Sequence, residues 1–351
     1  MGFKDVFFEK RDFRPDDNIF TLIKDGWIGI LTAVIVGILA INLSGYIVIS
    51  GKKYFDAFFL ATTIGIIIRF IMSKTLDDTK FTFKISPGLY VAQLVLMPIG
   101  VIFYGANHFN VNEVIYVAST TPLAFVQLII LVSLVFISMY YIGKALKLPE
   151  RFSLLLGFGS AVCGTAALAV TAPICKTDSD ETSIALILNT LVTIVGFFFF
   201  TKVLFNFMDV KSFAEITGSV IFQTGFTKMI LSVMGNPDMY AYGMALKALR
   251  IALLIISIPT VVYILRKKIF IPWYMVLFLI AGIIVSFSNF SAEVMGSFAK
   301  IYIYMFSMGL AAVGLNADIT SVARNFWKPL GLVVATFAIS IVSFFLLNLV
   351  L

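Results

Sequence analysis

Two cations, Lys247 and Arg250, are the residues best placed to do chemistry, because the stretch around them is otherwise apolar enough to cross a membrane. They are three residues apart and would share one face of a helix. In a predicted span over 241–265, they lie roughly 10 and 15 Å deep in a hydrocarbon core about 30 Å thick. Cations at that depth mark binding sites, and the alternative is a structural tie to backbone carbonyls. We predict that this pair binds an anion or sets the positive potential of its site.

A second candidate is the segment GFGSAVCGTAALAVTAPIC over 157–175, which is rich in glycine and hydroxyl groups. Glycine costs a helix up to about 1 kcal/mol relative to alanine. Unwound backbone at membrane depth is tolerated where it lines a cavity, and the N-terminus of a half-helix attracts anions. A similar segment, FSMGLAAVGLN, covers 306–316. We predict helix breaks near Gly164 and Gly309, and the alternative is close helix packing through small residues.

The predicted substrate-contacting set combines these segments with two polar residues of a third span. Its members are Ser160, Cys163, Gly164, Thr165, Gln223, Thr224, Lys247, Arg250, Ser307, Gly309 and Gly314.

Other chemistry has little support in the sequence. All 19 acidic residues fall in loops or at the ends of predicted spans, so no carboxylate is expected at mid-depth. The single histidine, His108, falls in a predicted outer loop and is expected to be solvated. Because paired acids, a metal-ligand cluster and a nucleophile with its base are not recognisable, we do not expect an enzyme, a metal site or a cofactor.

The composition predicts the elements that must position these residues. Of 351 residues, 60% are hydrophobic and 13% are charged, and the mean hydropathy is +1.02. These values indicate an all-α polytopic membrane protein rather than a soluble domain. Residues 1–25 carry charges throughout and are predicted to be a cytoplasmic segment. Eleven transmembrane helices are predicted over 26–48, 54–73, 87–105, 121–143, 152–174, 183–205, 212–233, 241–265, 271–289, 296–318 and 329–350.

The distribution of basic residues predicts the orientation. Eighteen Lys and Arg residues fall on the side of the N-terminus and three on the other, which places the N-terminus in the cytoplasm and the C-terminus outside. A shift of 159 residues aligns Asp56 with Glu215 and Arg69 with Lys228. We therefore predict an extra first helix and loop over 26–53 and two inverted five-helix repeats over 54–205 and 206–351, with broken crossing helices at 152–174 and 296–318. Chance matching of apolar strings is the alternative.

Several short motifs resemble one family. SAVCGTAALAVTAP, over 160–173, resembles the signature of the YeiH-type family of proposed sulfate exporters, and LKALR, which contains Lys247 and Arg250, resembles its Lys-x-x-Arg element. The resemblance implies a multi-pass protein of the prokaryotic cell (inner) membrane, with a fold distantly similar to sodium/proton antiporters and bile-acid symporters. Where the family has an Ile-His-Asp-Thr string, this chain has Ile221, Phe222, Gln223 and Thr224. A proton-coupling role of that His and Asp would be absent here or moved.

Together these patterns predict a secondary transporter, specifically an exporter, that moves a small anion by alternating access. The expected substrates are inorganic or organosulfur anions such as sulfate, sulfite or a sulfonate. The alternative function is a sodium-coupled organic anion symporter or an anion channel on the same scaffold. The sequence does not decide whether the coupling ion is a proton or sodium, or whether the protein forms a homodimer. The expected partners are the anion and the lipid bilayer, and no nucleic acid.

Overall fold

The structure, a computed structural model, describes residues 19–47, 55–75, 85–267 and 271–350. The regular structure in these ranges is helical. The α-helices are α1 Ile19–Tyr46, α2 Ala57–Thr75, α3 Ser86–His108, α4 Val111–Thr120, α5 Pro122–Ala145, α6 Glu150–Ala161, α7 Thr165–Cys175, α8 Ser179–Lys202, α9 Val210–Val220, α10 Thr224–Ser232, α11 Pro237–Ala252, α12 Leu254–Arg266, α13 Trp273–Phe287, α14 Ala292–Asn316, α15 Ile319–Arg324 and α16 Trp327–Val350.

The all-α polytopic prediction is confirmed. Within the described ranges, eight helical segments are long and apolar enough to cross a membrane. Each of the eleven predicted spans overlaps a helix or a pair of helices. The predicted spans outside the eight are the pair α6–α7, the pair α9–α10 and the 15-residue α13. The two helix pairs do not cross the membrane, because each pair turns back on itself.

The first pair is a re-entrant hairpin. A break after Ala161 separates α6 from α7, and Gly164 holds it with a φ of +75°, as predicted. Nε of Arg151, at the start of α6, lies 3.3 Å from Oε2 of Glu181, in the first turn of α8. Both ends of the pair therefore lie at the same end of the molecule, and the predicted span over 152–174 is wrong. With 12 and 11 residues, the two arms reach roughly 15–18 Å, about half a bilayer.

The second pair forms another hairpin. Residues Ile221–Gln223 connect α9 to α10 in an extended conformation. A Cβ placed on Gly243 of α11 would lie 3.0 Å from the Ala214 carbonyl oxygen and 2.8 Å from Cδ1 of Leu231. The start of α9 and the end of α10 are therefore level with each other, so the predicted span over 212–233 is also wrong. This hairpin enters from the opposite end of the molecule, because the 24-residue α8 separates the two openings by roughly 36 Å.

The open end of the second hairpin begins at a helix cap. An oxygen of Asp209, Oδ1, accepts hydrogen bonds from the backbone N–H groups of Lys211 and Ser212, each at 3.0 Å. Hydrogen bonds from Ser212 first, and then from the backbone at Lys211, hold the pKa of Asp209 below its ordinary value. This cap fixes the point at which α9 begins.

The helix α14 is continuous from Ala292 through Asn316. The predicted break near Gly309 is therefore wrong, and the broken crossing helix at 296–318 is corrected to a continuous one. Its small residues serve close packing instead: a Cβ on Gly314 would collide with the Thr62 carbonyl oxygen of α2, and one on Gly309 would come within 2.8 Å of Met97 Cγ of α3. Without a Cβ the helix backbones approach closely, which is the packing alternative.

For the residues that the structure describes, these corrections leave nine crossings and two hairpins, and the start of α1 and the end of α16 lie at opposite ends of the molecule. In the corrected topology Lys176 lies on the side of the N-terminus, and Lys202 and Lys211 lie on the opposite side. Seventeen basic residues are then on the side of the N-terminus and four on the other. That balance still favours a cytoplasmic N-terminus. The shift of 159 residues would place a second break near 321, in α15, rather than between α9 and α10. The repeat boundaries stay a prediction.

Candidate functional site

The tips of the two hairpins meet inside the molecule. Gly164 packs directly against Gln223, since a Cβ on Gly164 would collide with Cγ of Gln223 and lie 2.9 Å from Oδ1 of Asn189. Gln223 and Asn189 are 2% and 1% exposed. The predicted pair Gly164 and Gln223 is thus brought together, and Asn189 of α8 joins it.

Lys247 binds the backbone of both tips. Its Nζ donates to the carbonyl oxygens of Val162 at 2.9 Å, Ile221 at 2.7 Å and Phe222 at 2.6 Å. An ammonium group has three N–H donors, so all of them are used. The side chain is 0% exposed. This contact is the structural tie to backbone carbonyls rather than a direct anion contact.

Arg250 makes the same kind of contact one turn deeper. Its Nε donates to the Ala161 carbonyl at 2.8 Å, its Nη2 to the Ser160 carbonyl at 2.7 Å and its Nη1 to the Ile221 carbonyl at 2.8 Å. Ser160 therefore contributes its carbonyl to the site. Arg250 lies behind the tips, 1% exposed, and ties α11 to both hairpins.

These contacts give the junction a positive balance. The carbonyls belong to the C-terminal ends of α6 and α9, which carry about half a negative charge each. Lys247 and Arg250 exceed that charge, and the N-terminal ends of α7 and α10 at the same tips add about half a positive charge each. The balance is about two positive charges, which favours an anion near the two N-terminal ends.

A cavity of about 690 Å³ lies in front of those N-terminal ends. The tips bound it on one side, and α2, α3 and α14 bound it on the other. Four predicted site residues line it, namely Cys163, Thr165, Gln223 and Thr224. Among the lining residues that the sequence analysis missed, five are titratable: Asp56, Tyr104, His108, Lys228 and Tyr302.

A smaller cavity of about 220 Å³ adjoins it and is lined by Lys247, together with His108, Thr224 and Lys228. His108 ends α3 with its ring stacked on Tyr104, 4.3 Å between centroids. The expectation of a solvated loop histidine is therefore wrong. Lys228 reaches both cavities and supplies a cation that, unlike Lys247, has no hydrogen bond to a tip carbonyl in the described residues.

Buried amides of the junction have spare hydrogen-bonding capacity. Gln223 donates through Nε2 to Oγ1 of Thr190 at 2.7 Å, whereas its Oε1 and the Oδ1 of Asn189 have no hydrogen-bond partner. An amide can present either its oxygen or its NH2 group to a ligand. The junction therefore holds adaptable polar groups beside the N-terminal ends.

A carboxylate also reaches the junction. Oδ2 of Asp56 accepts a hydrogen bond from Oγ1 of Thr165 at 3.2 Å, and Oδ1 accepts one from the Phe59 backbone at 2.7 Å. Thr165 lies at a hairpin tip, an 11-residue helix away from its open end, which is roughly 15 Å. An acid at the end of a predicted span is thus brought to the hairpin tip, which the sequence analysis did not foresee.

Three predicted site residues are not brought to the junction. Ser307, Gly309 and Gly314 lie on the continuous α14, are buried against neighbouring helices, and line neither cavity. No group of three or more metal-ligating side chains occurs in the part of the chain that the structure describes.

These features define a polytopic α-helical membrane protein in which two opposed re-entrant hairpins meet at a cation-stabilised junction. The family model described as Conserved hypothetical protein 698 matches residues 28–333. The chain belongs to that family, the YeiH-type membrane proteins, as its motifs indicated.

Relatives with curated names agree with this membership. The chain is 28% identical over 256 residues to a UPF0324 membrane protein of Archaeoglobus fulgidus, covering 72% of this chain and 75% of the relative. It is 24% identical to a UPF0324 membrane protein of Haemophilus influenzae, covering 92% and 96%. It is also 24% identical to the UPF0324 inner membrane protein YeiH of Escherichia coli K12, covering 81% and 84%. No solved structure matches the chain.

Proposed function

We propose that the protein is a secondary transporter of a small inorganic or organosulfur anion, such as sulfate, sulfite or a sulfonate, in the prokaryotic inner membrane. One observation carries the proposal: the N-terminal ends of α7 and α10 and the Lys228 side chain converge on one cavity at the hairpin tips. Backbone N–H groups at helix ends and a lysine are the groups that bind oxyanions. The cavity volume of about 690 Å³ is within the usual range for small-molecule sites.

The arrangement favours an anion over sodium as the ion bound at the tips. Sodium sites in transporters use the carbonyls of unwound backbone and the C-terminal ends of half-helices. Here the carbonyls of Ser160, Ala161, Val162, Ile221 and Phe222 accept hydrogen bonds from Lys247 and Arg250. The two cations thus occupy the groups that would bind sodium.

Alternating access fits the position of the cavity. It separates the hairpin tips from α2, α3 and α14, so a relative movement of these two groups of helices would open the cavity to the other side. Export, with the N-terminus in the cytoplasm, is the direction that we propose. The residues that we assign to anion contact are Thr165, Gln223, Thr224 and Lys228, and Lys247 and Arg250 set the potential.

Uptake into proteoliposomes tests the proposal. Labelled sulfate, sulfite, an alkyl sulfonate and a dicarboxylate are compared as substrates. We expect saturable transport of at least one sulfur oxyanion. Lys228→Gln should lower kcat/KM at least tenfold, because one charge 5–10 Å from the anion contributes about 2–3 kcal/mol at an effective dielectric of 20. Lys211→Gln is the matched control: Lys211 is exposed at the start of α9, lines neither cavity, and its loss should change kcat/KM less than twofold.

The same preparation separates the alternatives. Currents that exceed carrier rates would indicate an anion channel, and uptake that requires sodium would indicate a symporter. The absence of transport for every anion tested, by protein with the native melting temperature, would refute the proposed function.

A further inference from the structure

Asp56 is the one acidic side chain, among the described residues, that lines either cavity. It belongs to the N-cap of α2, through the bond from the Phe59 backbone, and it touches α7 through Thr165. Its carboxylate therefore links the two groups of helices that bound the large cavity. The ion pairs of the described chain join Arg151 to Asp178 and Glu181, so no described cation pairs with Asp56.

The position of Asp56 puts it in competition with a bound anion. Thr165 is the first residue of α7, so its hydroxyl and the N-terminal N–H groups beside it are the groups proposed to hold the substrate. The charged carboxylate of Asp56 already accepts a hydrogen bond from the Thr165 hydroxyl. A substrate anion and a charged Asp56 in one cavity would repel each other, and protonation of Asp56 removes the repulsion and frees the hydroxyl.

We infer that Asp56 is the proton-coupling residue of the transporter, so that the anion and one proton move together. This inference rests on the proposed function. The proton adds to a carboxylate oxygen of Asp56 when the anion enters the cavity. It leaves to water on the opposite side when the anion departs.

Other titratable groups face the same cavity from the remaining elements. They are Lys228 of α10, Tyr104 and His108 of α3, Tyr302 of α14 and Cys163 of the first tip. None of them is paired with Asp56 in the described residues, and the hydroxyl of Thr165 is the side-chain group bonded to it. The variant that isolates the carboxylate is therefore Asp56→Asn. Asn caps helices as well as Asp does, so the N-cap of α2 is retained.

The experiment uses proteoliposomes of the full chain containing a pH-sensitive dye, with sulfate, sulfite and an alkyl sulfonate as probes. Two quantities are measured for each anion: net uptake with the accompanying change in internal pH, and exchange of labelled for unlabelled anion. For the parent protein we expect acidification with uptake. The apparent affinity should improve by up to about tenfold per unit of decreasing pH, the limit for one linked proton.

Asp56→Asn should keep exchange within about threefold of the parent, reduce the pH signal below one tenth, and lower the pH dependence of affinity below twofold per unit. Asp209→Asn, an exposed N-cap carboxylate outside both cavities, should behave as the parent does. Transport by the parent without acidification, or unchanged acidification by Asp56→Asn, would overturn the inference and leave the proposed function standing. Loss of exchange by Asp56→Asn at the native melting temperature would also overturn it, whereas no anion transport by the parent refutes the function itself.

Discussion

Replacement of Arg250 by Gln tests how the hairpin junction is held together. In the structure Arg250 is the hydrogen-bond partner of two carbonyls at the end of α6, those of Ser160 and Ala161, and it shares the Ile221 carbonyl with Lys247. A shorter neutral amide cannot span three carbonyls. The Ser160 and Ala161 carbonyls would lose their partner in an interior from which water is excluded.

The expected cost follows from those two carbonyls. A buried polar group that loses its partner costs about 1–3 kcal/mol, so Arg250→Gln should destabilise the protein by about 2–6 kcal/mol. At roughly 2 °C per kcal/mol, the melting temperature should fall by about 4–12 °C. Arg250→Lys keeps the charge but not the planar fork, and should lose about half as much.

Thermal unfolding of the purified protein in lipid nanodiscs measures this effect. Arg324→Gln is the control, because Arg324 is exposed at the end of α15, and it should change the melting temperature by less than 2 °C. Anion affinity, measured by calorimetry on the fraction that retains its fold, should also fall for Arg250→Gln, since the tip loses a positive charge. A melting temperature equal to that of the parent would show that the carbonyl contacts do not stabilise the junction.

Three further predictions concern the hairpins. In cells whose copy of the protein lacks the two native cysteines, an impermeant maleimide should label a cysteine placed at Lys211 and not one placed at Lys176; the reverse pattern is expected of an eleven-span arrangement. Gly164→Ala should lower the free energy of unfolding by about 1–3 kcal/mol, because a side chain is strained at a φ of +75°, while Gly331→Ala, with nothing within 4 Å, should not. Asp209→Ala should cost about 1 kcal/mol at neutral pH. Because the pKa of Asp209 is lowered in the folded protein, the cap contributes its full stabilisation at pH values above the unfolded-state pKa. This stabilisation should vanish as the pH falls through the folded-state pKa.

The sequence predicted the helices well and the topology less well. Apolar length identified the longer helices, because lipid and protein interior demand the same apolar side chains, but it missed the short α4 and α15, which lie between predicted spans. The same property hid the hairpins: α6 and α7 together have the length and composition of one span, although they turn back at Val162. The signal that separates the two arrangements is the pairing of Arg151 with Glu181, which depends on a tertiary contact.

The sequence predicted only part of the site, because composition alone does not distinguish a helix break from close helix packing. Glycine and hydroxyl enrichment identified the first tip, where Gly164 needs a positive φ, but in α14 the same enrichment reports close packing. The second tip carries little glycine and was singled out by Gln223 and Thr224 alone. Asp56 was missed because it precedes α2 in the sequence, and only the fold carries that end of α2 to the junction.

The contacts of Lys247 and Arg250 also suggest which parts of the molecule move together. Their six hydrogen bonds join α11 to both hairpin tips, and separation of the tips would leave buried charges and carbonyls unpaired at a cost far above that of a surface contact. Across the large cavity, Asp56 is bonded to Thr165, and Tyr104 of α3 is hydrogen-bonded to Cys163 of the first tip. We therefore expect transport to displace the hairpins and α11 as one unit, with the Asp56–Thr165 and Tyr104–Cys163 contacts as the polar links that must release. A disulfide engineered between the two tips should leave transport intact, whereas one between α2 and α7 beside Asp56 should stop it.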